Sequence, residues 1–221
     1  VATAIDIKML TLGIVQTNAY IIGDSNRHEA IVIDPVDEAE TIYKAAQDAG
    51  WTITHILATH AHFDHIMASH ALKEMTGAQF WIHEEAVPML EALPHQGKRF
   101  GLENMPQPAV PDRLITEPRE TFTIGALTFE ALYTPGHAPG HVSFYLRDHF
   151  IVFSGDSLFA GSVGRTDLPG GSTKVLMQSI FTMLLPLGDD VRVLPGHMQP
   201  TTIGRERKTN PFLLSYDEND E

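Results

Sequence analysis

Histidine and aspartate recur in this chain at spacings that suit metal ligation, most densely in Thr59-His60-Ala61-His62-Phe63-Asp64-His65. In extended chain, alternate side chains share a face, so His60 and His62 project together and can share a cation. Asp64 and His65 are neighbours and diverge unless the chain turns, and the helix expected after them supplies that turn. This pattern suits two cations side by side better than one cation with four ligands. The bland reading is a histidine-rich loop in which Asp64 caps a helix.

Three further signals follow downstream: Thr134-Pro135-Gly136-His137, Ser154-Gly155-Asp156 and Pro195-Gly196-His197. Each stands at the end of an expected strand, where open sheets place ligands and chemistry. A single Gly-His or Gly-Asp is more often a turn; together with the cluster they describe one site. Asp34-Pro35 admits two readings, a carboxylate that orients a metal-bound imidazole or a capping turn. The donors are all N and O, which suit zinc, iron or manganese. There is no cysteine, which removes disulfides, thiolate nucleophiles and Cys-bound zinc.

The elements that must position these residues read as follows. Strands are expected at Ile5–Leu10, Ala19–Ile22, Ala30–Asp34, Ile53–Ala58 and Gln79–His83. Helices are expected over Glu38–Ala49, with Gly50 closing it, over Met67–Met75 and over Glu84–Leu93. Pro94–Pro118 is rich in Pro and Gly and reads as a long surface excursion, a wall for a substrate site. Strands return at Phe122–Ile124, Leu127–Tyr133, Val142–Leu146, Phe150–Ser154 and Val191–Leu194. Ser172 can cap a helix running to about Leu185. Two similar halves, each a sheet with helices outside, predict one αββα sandwich domain over residues 1–221.

The 221 residues are 43% hydrophobic and 19% charged, a globular balance. The formal charge of −13 disfavours nucleic acid, whose phosphates are held by clustered Lys and Arg. No apolar run is long enough for a membrane span and no signal-peptide core is present, so the expected location is cytoplasmic.

His60, His62, Asp64, His65, His137, Asp156 and His197, with Gly164-Arg165-Thr166-Asp167 and the stretches from Thr202 to Arg207 and Asn210 to Leu213, resemble the metallo-β-lactamase superfamily. The nearest branch is glyoxalase II, in the short bacterial form without a C-terminal helical domain. The resemblance implies an α/β metallo-β-lactamase fold and two divalent cations, zinc first, with His60, His62 and His137 on one. Asp64, His65 and His197 hold the other, and Asp156 bridges both. A water shared by two cations loses its proton near neutral pH and attacks a carbonyl, with Asp64 or Asp156 taking the proton. His141, close to His137, is assigned a supporting role. The implied reaction is hydrolysis of a thioester, S-lactoylglutathione, to D-lactate and glutathione. Arg165, Arg205 and Lys208 are then candidates for binding the carboxylates of a glutathione conjugate. A persulfide dioxygenase with a single iron, and a lactonase or other esterase, resemble the same motifs.

Overall fold

The computed structural model describes residues 4–216, apart from the Arg99 side chain. Two six-stranded sheets face each other. The first contains β1 (Ile5–Leu12), β2 (Thr17–Asp24), β3 (Glu29–Ile33), β4 (Thr52–Leu57), β5 (Gln79–His83) and β6 (Arg113–Ile115), in that spatial order. It runs antiparallel through β3 and parallel thereafter. The second comprises β7 (Arg119–Ile124), β8 (Leu127–Tyr133), β9 (Val142–Leu146) and β10 (Ile151–Gly155). A small ribbon follows, β11 (Leu158–Phe159) with β12 (Ser162–Val163). The chain then returns through β13 (Arg192–Pro195), parallel to β10, and β14 (Thr201–Thr202) at the edge.

Both faces of each sheet are covered, which explains why the central strands read as nearly continuous apolar runs. The period of two sorts their residues. Tyr20, Ile22, Ile31, Ile33 and Leu57 meet Phe129, Phe144 and Phe153 between the sheets. Ile21, Val32, Ile56 and Ile82 face outward onto the helices α1 (Ala39–Asp48) and α3 (Ser69–Thr76) through Ile42 and Leu72. On the far side, Leu132, Tyr145 and Val152 pack beneath α6 (Thr173–Ser179) and α7 (Ile203–Thr209). The layers are therefore αββα, as expected.

Three expected strands have their expected bounds: β5, β8 and β9. The other expected strands differ at their ends; β2 extends by two residues each way, its whole length being buried. Other elements differ for local reasons. The helix expected over Met67–Met75 is α3, displaced by two residues at its start and one at its end, and a separate short helix, α2 (Phe63–Ile66), precedes it. The segment expected as one helix over Glu84–Leu93 is a 3₁₀ turn, Glu84–Ala86, then α4 (Val87–Glu91). Its segmentation follows from Pro88 and Pro94, which lack the amide that an uninterrupted helix uses. Pro94–Pro118 is not structureless. It opens inside α5 (Leu93–Gln96), continues as a 3₁₀ turn to Phe100 and includes β6 on the sheet edge. The helix after Ser172 is α-helical through Ser179, then passes into a π turn over Ile180–Leu184. The tail from Asn210 forms α8 (Pro211–Leu214), capped by the Asn210 side chain. No helix among the described residues is long and apolar enough to cross a membrane.

Candidate metal centre

Four strand ends build the site. His60 and His62 follow β4, His137 follows β8, Asp156 follows β10 and His197 follows β13. The turn at α2 swings Asp64 and His65 back towards the same point, which resolves the divergence of adjacent side chains. Three groups of candidate ligands converge: His60 with His62 and His137, Asp64 with His65 and His197, and His60 with His65 and Asp156. Within each group the ligand atoms lie within 4.8 Å of one another.

His62 Nδ1 is 3.1 Å from His60 Nε2 and 2.8 Å from His137 Nε2. Those spacings approach the edge of a tetrahedron, about 3.3 Å, around a cation bound at 2.0–2.1 Å. Asp156 lies between the groups: its Oδ1 is 3.3 Å from His65 Nε2, and its Oδ2 is 3.4 Å from both His137 and His197. His65 Nε2 and Asp156 Oδ1 are buried without a hydrogen-bond partner. Orphaned polar atoms at such depth are costly, and a cation between them would satisfy both. The residues present thus fit two divalent cations, and neutral imidazole with carboxylate suits zinc, iron or manganese.

Supporting contacts set the tautomers. His137 Nδ1 donates to Arg165 O at 2.7 Å, leaving Nε2 free to ligate. His65 Nδ1 donates to Asp34 Oδ2 at 2.8 Å. The Thr59 hydroxyl donates to the same oxygen at 2.8 Å, so its lone pair accepts His60 Nδ1 at 3.0 Å. Asp34 therefore orients imidazoles of both groups, and it also accepts the Thr59 amide. Its backbone sits at φ 56°, so the turn reading and the orienting reading of Asp34 describe one residue. His141 does not join the ligands. Its Nε2 accepts the Asp156 amide at 3.0 Å and its Nδ1 donates to Thr134 at 2.9 Å, so it holds the turn carrying Asp156. Gly196 is required by close approach: a Cβ there would lie 2.3 Å from Asp156 Oδ1.

The electrostatics divide the histidines. Burial, reinforced by neighbouring imidazoles, pushes His60 well below its usual range and His62 down to about 4. Burial also lowers His137 against the pull of Asp156. These rings are neutral, the form that ligates. For His65 and His197 burial acts in the same direction but is overcome by Asp156 and Asp64, and His197 rises to about 9. Burial likewise opposes ionisation of Asp64 and Asp156, yet His65 and His197 hold Asp64 near 2 and Asp156 well below the carboxylate range. The two carboxylates demand positive partners, which cations supply with release of protons.

Several supports had no signal at short range. Thr17 donates to Asp64 Oδ2 at 2.8 Å. Asn18 donates to Pro195 O and Met198 O, and Tyr20 to Pro195 O, pinning the His197 turn from β2. Gln96 grips the histidine motif: its Oε1 accepts the Phe63 amide at 2.9 Å, and its Nε2 donates to Ala61 O and Met89 O at 2.8 Å.

A cavity of about 750 Å³ opens over the centre, with His62, Asp64, His137, Asp156 and His197 in its lining. The excursion after Pro94 does wall it, through His95, Gln96 and Phe100. The three residues expected to form a basic rim are placed in two different regions. Arg165 lines the cavity, but its guanidinium is bound to Asp167 at 2.6–2.7 Å. Arg205 and Lys208 do not line it; both are exposed on α7, on the helix layer behind the second sheet, and neighbouring Arg207 pairs with Asp189.

A profile of the Metallo-beta-lactamase superfamily matches residues 12–197. The hydroxyacylglutathione hydrolase GloC of Haemophilus influenzae is 39% identical over 211 residues, covering 95% of this chain and 99% of that protein. Among solved structures, the BLEG-1 B3 metallo-beta-lactamase is similar at TM-score 0.87 and 39% identity, over 94% of this chain and 99% of that one. TTHA1623 in a di-iron-bound form is similar at TM-score 0.82 and 40% identity, over 93% of this chain and 100% of that one. With its layered sheets and its His/Asp cluster at their strand ends, this chain belongs to the metallo-β-lactamase superfamily.

Proposed function

We propose that this protein is a metal-dependent thioester hydrolase that cleaves S-lactoylglutathione to D-lactate and glutathione. The observation that carries the reading is the pairing of two donor groups around Asp156 with a cavity whose described lining contains no Ser, Thr, Lys or Tyr. With cysteine also absent, the chain offers no side-chain nucleophile of the usual kinds there, and the attacking oxygen comes from water. His60, His62 and His137 would hold one divalent cation, Asp64, His65 and His197 the other, with Asp156 shared. Bound there, the cations lower the pKa of water and polarise the substrate carbonyl.

The chain's own residues do the rest. Asp34, directly and through Thr59, fixes His65 and His60. His141 fixes the Asp156 turn. Asp64 and Asp156 lie in the cavity lining, where a carboxylate oxygen can accept the proton of attacking water. A thiolate departs without strong acid assistance, whereas an amine needs a proton donor. The one further carboxyl in the lining, Glu85, already accepts a hydrogen bond from Tyr133. That disfavours lactams, although one similar structure is named a metallo-beta-lactamase. GloC, named a hydroxyacylglutathione hydrolase, supports the thioester.

The second reading is a persulfide dioxygenase using a single iron. Iron in a relative, TTHA1623, favours it, and the second group, Asp64, His65 and His197, gives a second cation a place in either reading. Two assays on one metal-loaded preparation decide: thioester loss by absorbance, and oxygen uptake with glutathione persulfide. The expected result is thioester loss without oxygen uptake. Iron-dependent oxygen uptake with negligible thioester loss overturns it.

A further inference from the structure

The cavity is far more apolar than a polar, multiply charged thioester requires. One wall comes from α4, α5 and the turn after them, with Pro88, Met89, Ala92 and Phe100 joined by Phe63. The facing wall comes from Pro139, Leu168 and Pro169. Val15, 42% exposed, and Phe100, 51% exposed, also present carbon surface to the cavity and to solvent. Phe63 and Phe100 lie with ring centroids 5.1 Å apart, a continuous aromatic surface beginning next to His62 and Asp64.

Polar matching is sparse by comparison. Outside the metal-ligand candidates, the charged groups of the described lining are Arg165 and Glu85, each already engaged, by Asp167 and Tyr133. His95 and Gln96 are the remaining polar side chains, and Gln96 spends both ends of its amide on backbone. A site of this size lined by carbon with few free polar groups binds by burying apolar surface.

We infer that the preferred substrate is a thioester carrying an apolar arm, an alkyl chain or aromatic ring on the acyl or the thiol side, which packs between Met89, Phe100 and Phe63 and the Pro139–Leu168–Pro169 wall. The inference rests on the thioester reading and adds a substrate class to it. The lactoyl group is short and hydroxylated and leaves most of that wall uncovered. Each methylene buried on the wall strengthens binding by up to about fourfold.

Two measurements test this on the metal-loaded protein. Binding of the non-hydrolysable thioethers S-methyl-, S-butyl- and S-hexylglutathione, followed by calorimetry, probes the acyl arm without turnover. The kcat/KM of acetyl-, butanoyl- and hexanoylglutathione, and of lactoyl thioesters of glutathione and of benzyl mercaptan, locates the arm during catalysis. Affinity and kcat/KM should rise at least tenfold across the acyl series if the arm is on that side. If it is on the thiol side, benzyl mercaptan should outperform glutathione by as much. Phe100→Ser, at an exposed position, and Met89→Ser should remove most of the gain. Flat or falling series on both sides overturn the inference, as does a gain that survives both substitutions. If the thioethers bind with rising affinity while no thioester is cleaved, the apolar arm stands and the hydrolase reading falls.

Discussion

Asp34 and His65, 31 residues apart in sequence, meet as a fully buried carboxylate–imidazole pair at 2.8 Å. The same Asp34 oxygen also governs His60 through the Thr59 hydroxyl, so one carboxylate sets a ring in each donor group. Removing it should loosen both. Asp34→Ala is expected to weaken binding of the second-bound cation by 10–100-fold, the usual cost of losing such a partner. Chelator competition measures this, and an affinity within twofold of the parent protein contradicts the role.

Gln96 braces the histidine motif from outside it. Gln96→Leu keeps the volume but strands the Phe63 amide and the Ala61 and Met89 carbonyls. An unsatisfied buried group costs about 1–3 kcal/mol, so denaturant unfolding should show a loss of at least that size. Cation affinity should fall with it. Stability lost with affinity intact would make Gln96 structural only.

Metal uptake should release protons. Without cations, Asp156 and Asp64 hold His65 and His197 protonated at neutral pH, and ligation requires the neutral ring. Calorimetric titration with zinc at pH 7.5, in buffers of different ionisation enthalpy, should give between one and two protons released per chain. No release means that both rings are already neutral.

The chelated protein should be most stable near pH 6.5. His197, raised to about 9, contributes stability that is full below its unfolded pKa of about 6.5 and lost as pH rises through 9. His62, lowered to about 4, acts oppositely: as pH falls from about 6.5 to 4 the unfolded chain takes up the proton first and gains. Asp64, held near 2, adds a further loss below about pH 4. Melting temperature against pH should therefore peak, and a Tm rising steadily to pH 9 would falsify the assignment of the raised groups.

Asp156→Ala should lower kcat by two orders of magnitude or more, comparable to loss of a central electrostatic group. Arg205→Ala and Lys208→Ala should each stay within about twofold in kcat and KM, because both side chains are solvated on α7, outside the cavity. Steady-state kinetics with matched metal content makes the comparison. A KM rise for either basic variant would return them to the substrate site.

The sequence by itself determined the donor set and the strand ends that carry it. Ligand geometry around a cation leaves a short-range mark: His60 and His62 two apart in extended chain, Asp64 and His65 at the following turn, and a Gly before His137, Asp156 and His197. The order of strands and helices in two similar halves likewise determined the layers, since each half is a sheet that needs helices on its outer face. Only the tertiary structure decided what holds those ligands and what faces them. Asn18 reaches Pro195 across 177 residues, Thr17 reaches Asp64 across 47, and Gln96 sits in a segment whose prolines and glycines hide its helical turns. Such contacts have no period or spacing along the chain, because their geometry is created when the two sheets close on one another. The placement of charge was decided in the same way: Arg205 and Lys208 lie near His197 in sequence, but the helix that carries them packs behind the sheet, and proximity along the chain does not survive the turn of β14 into α7.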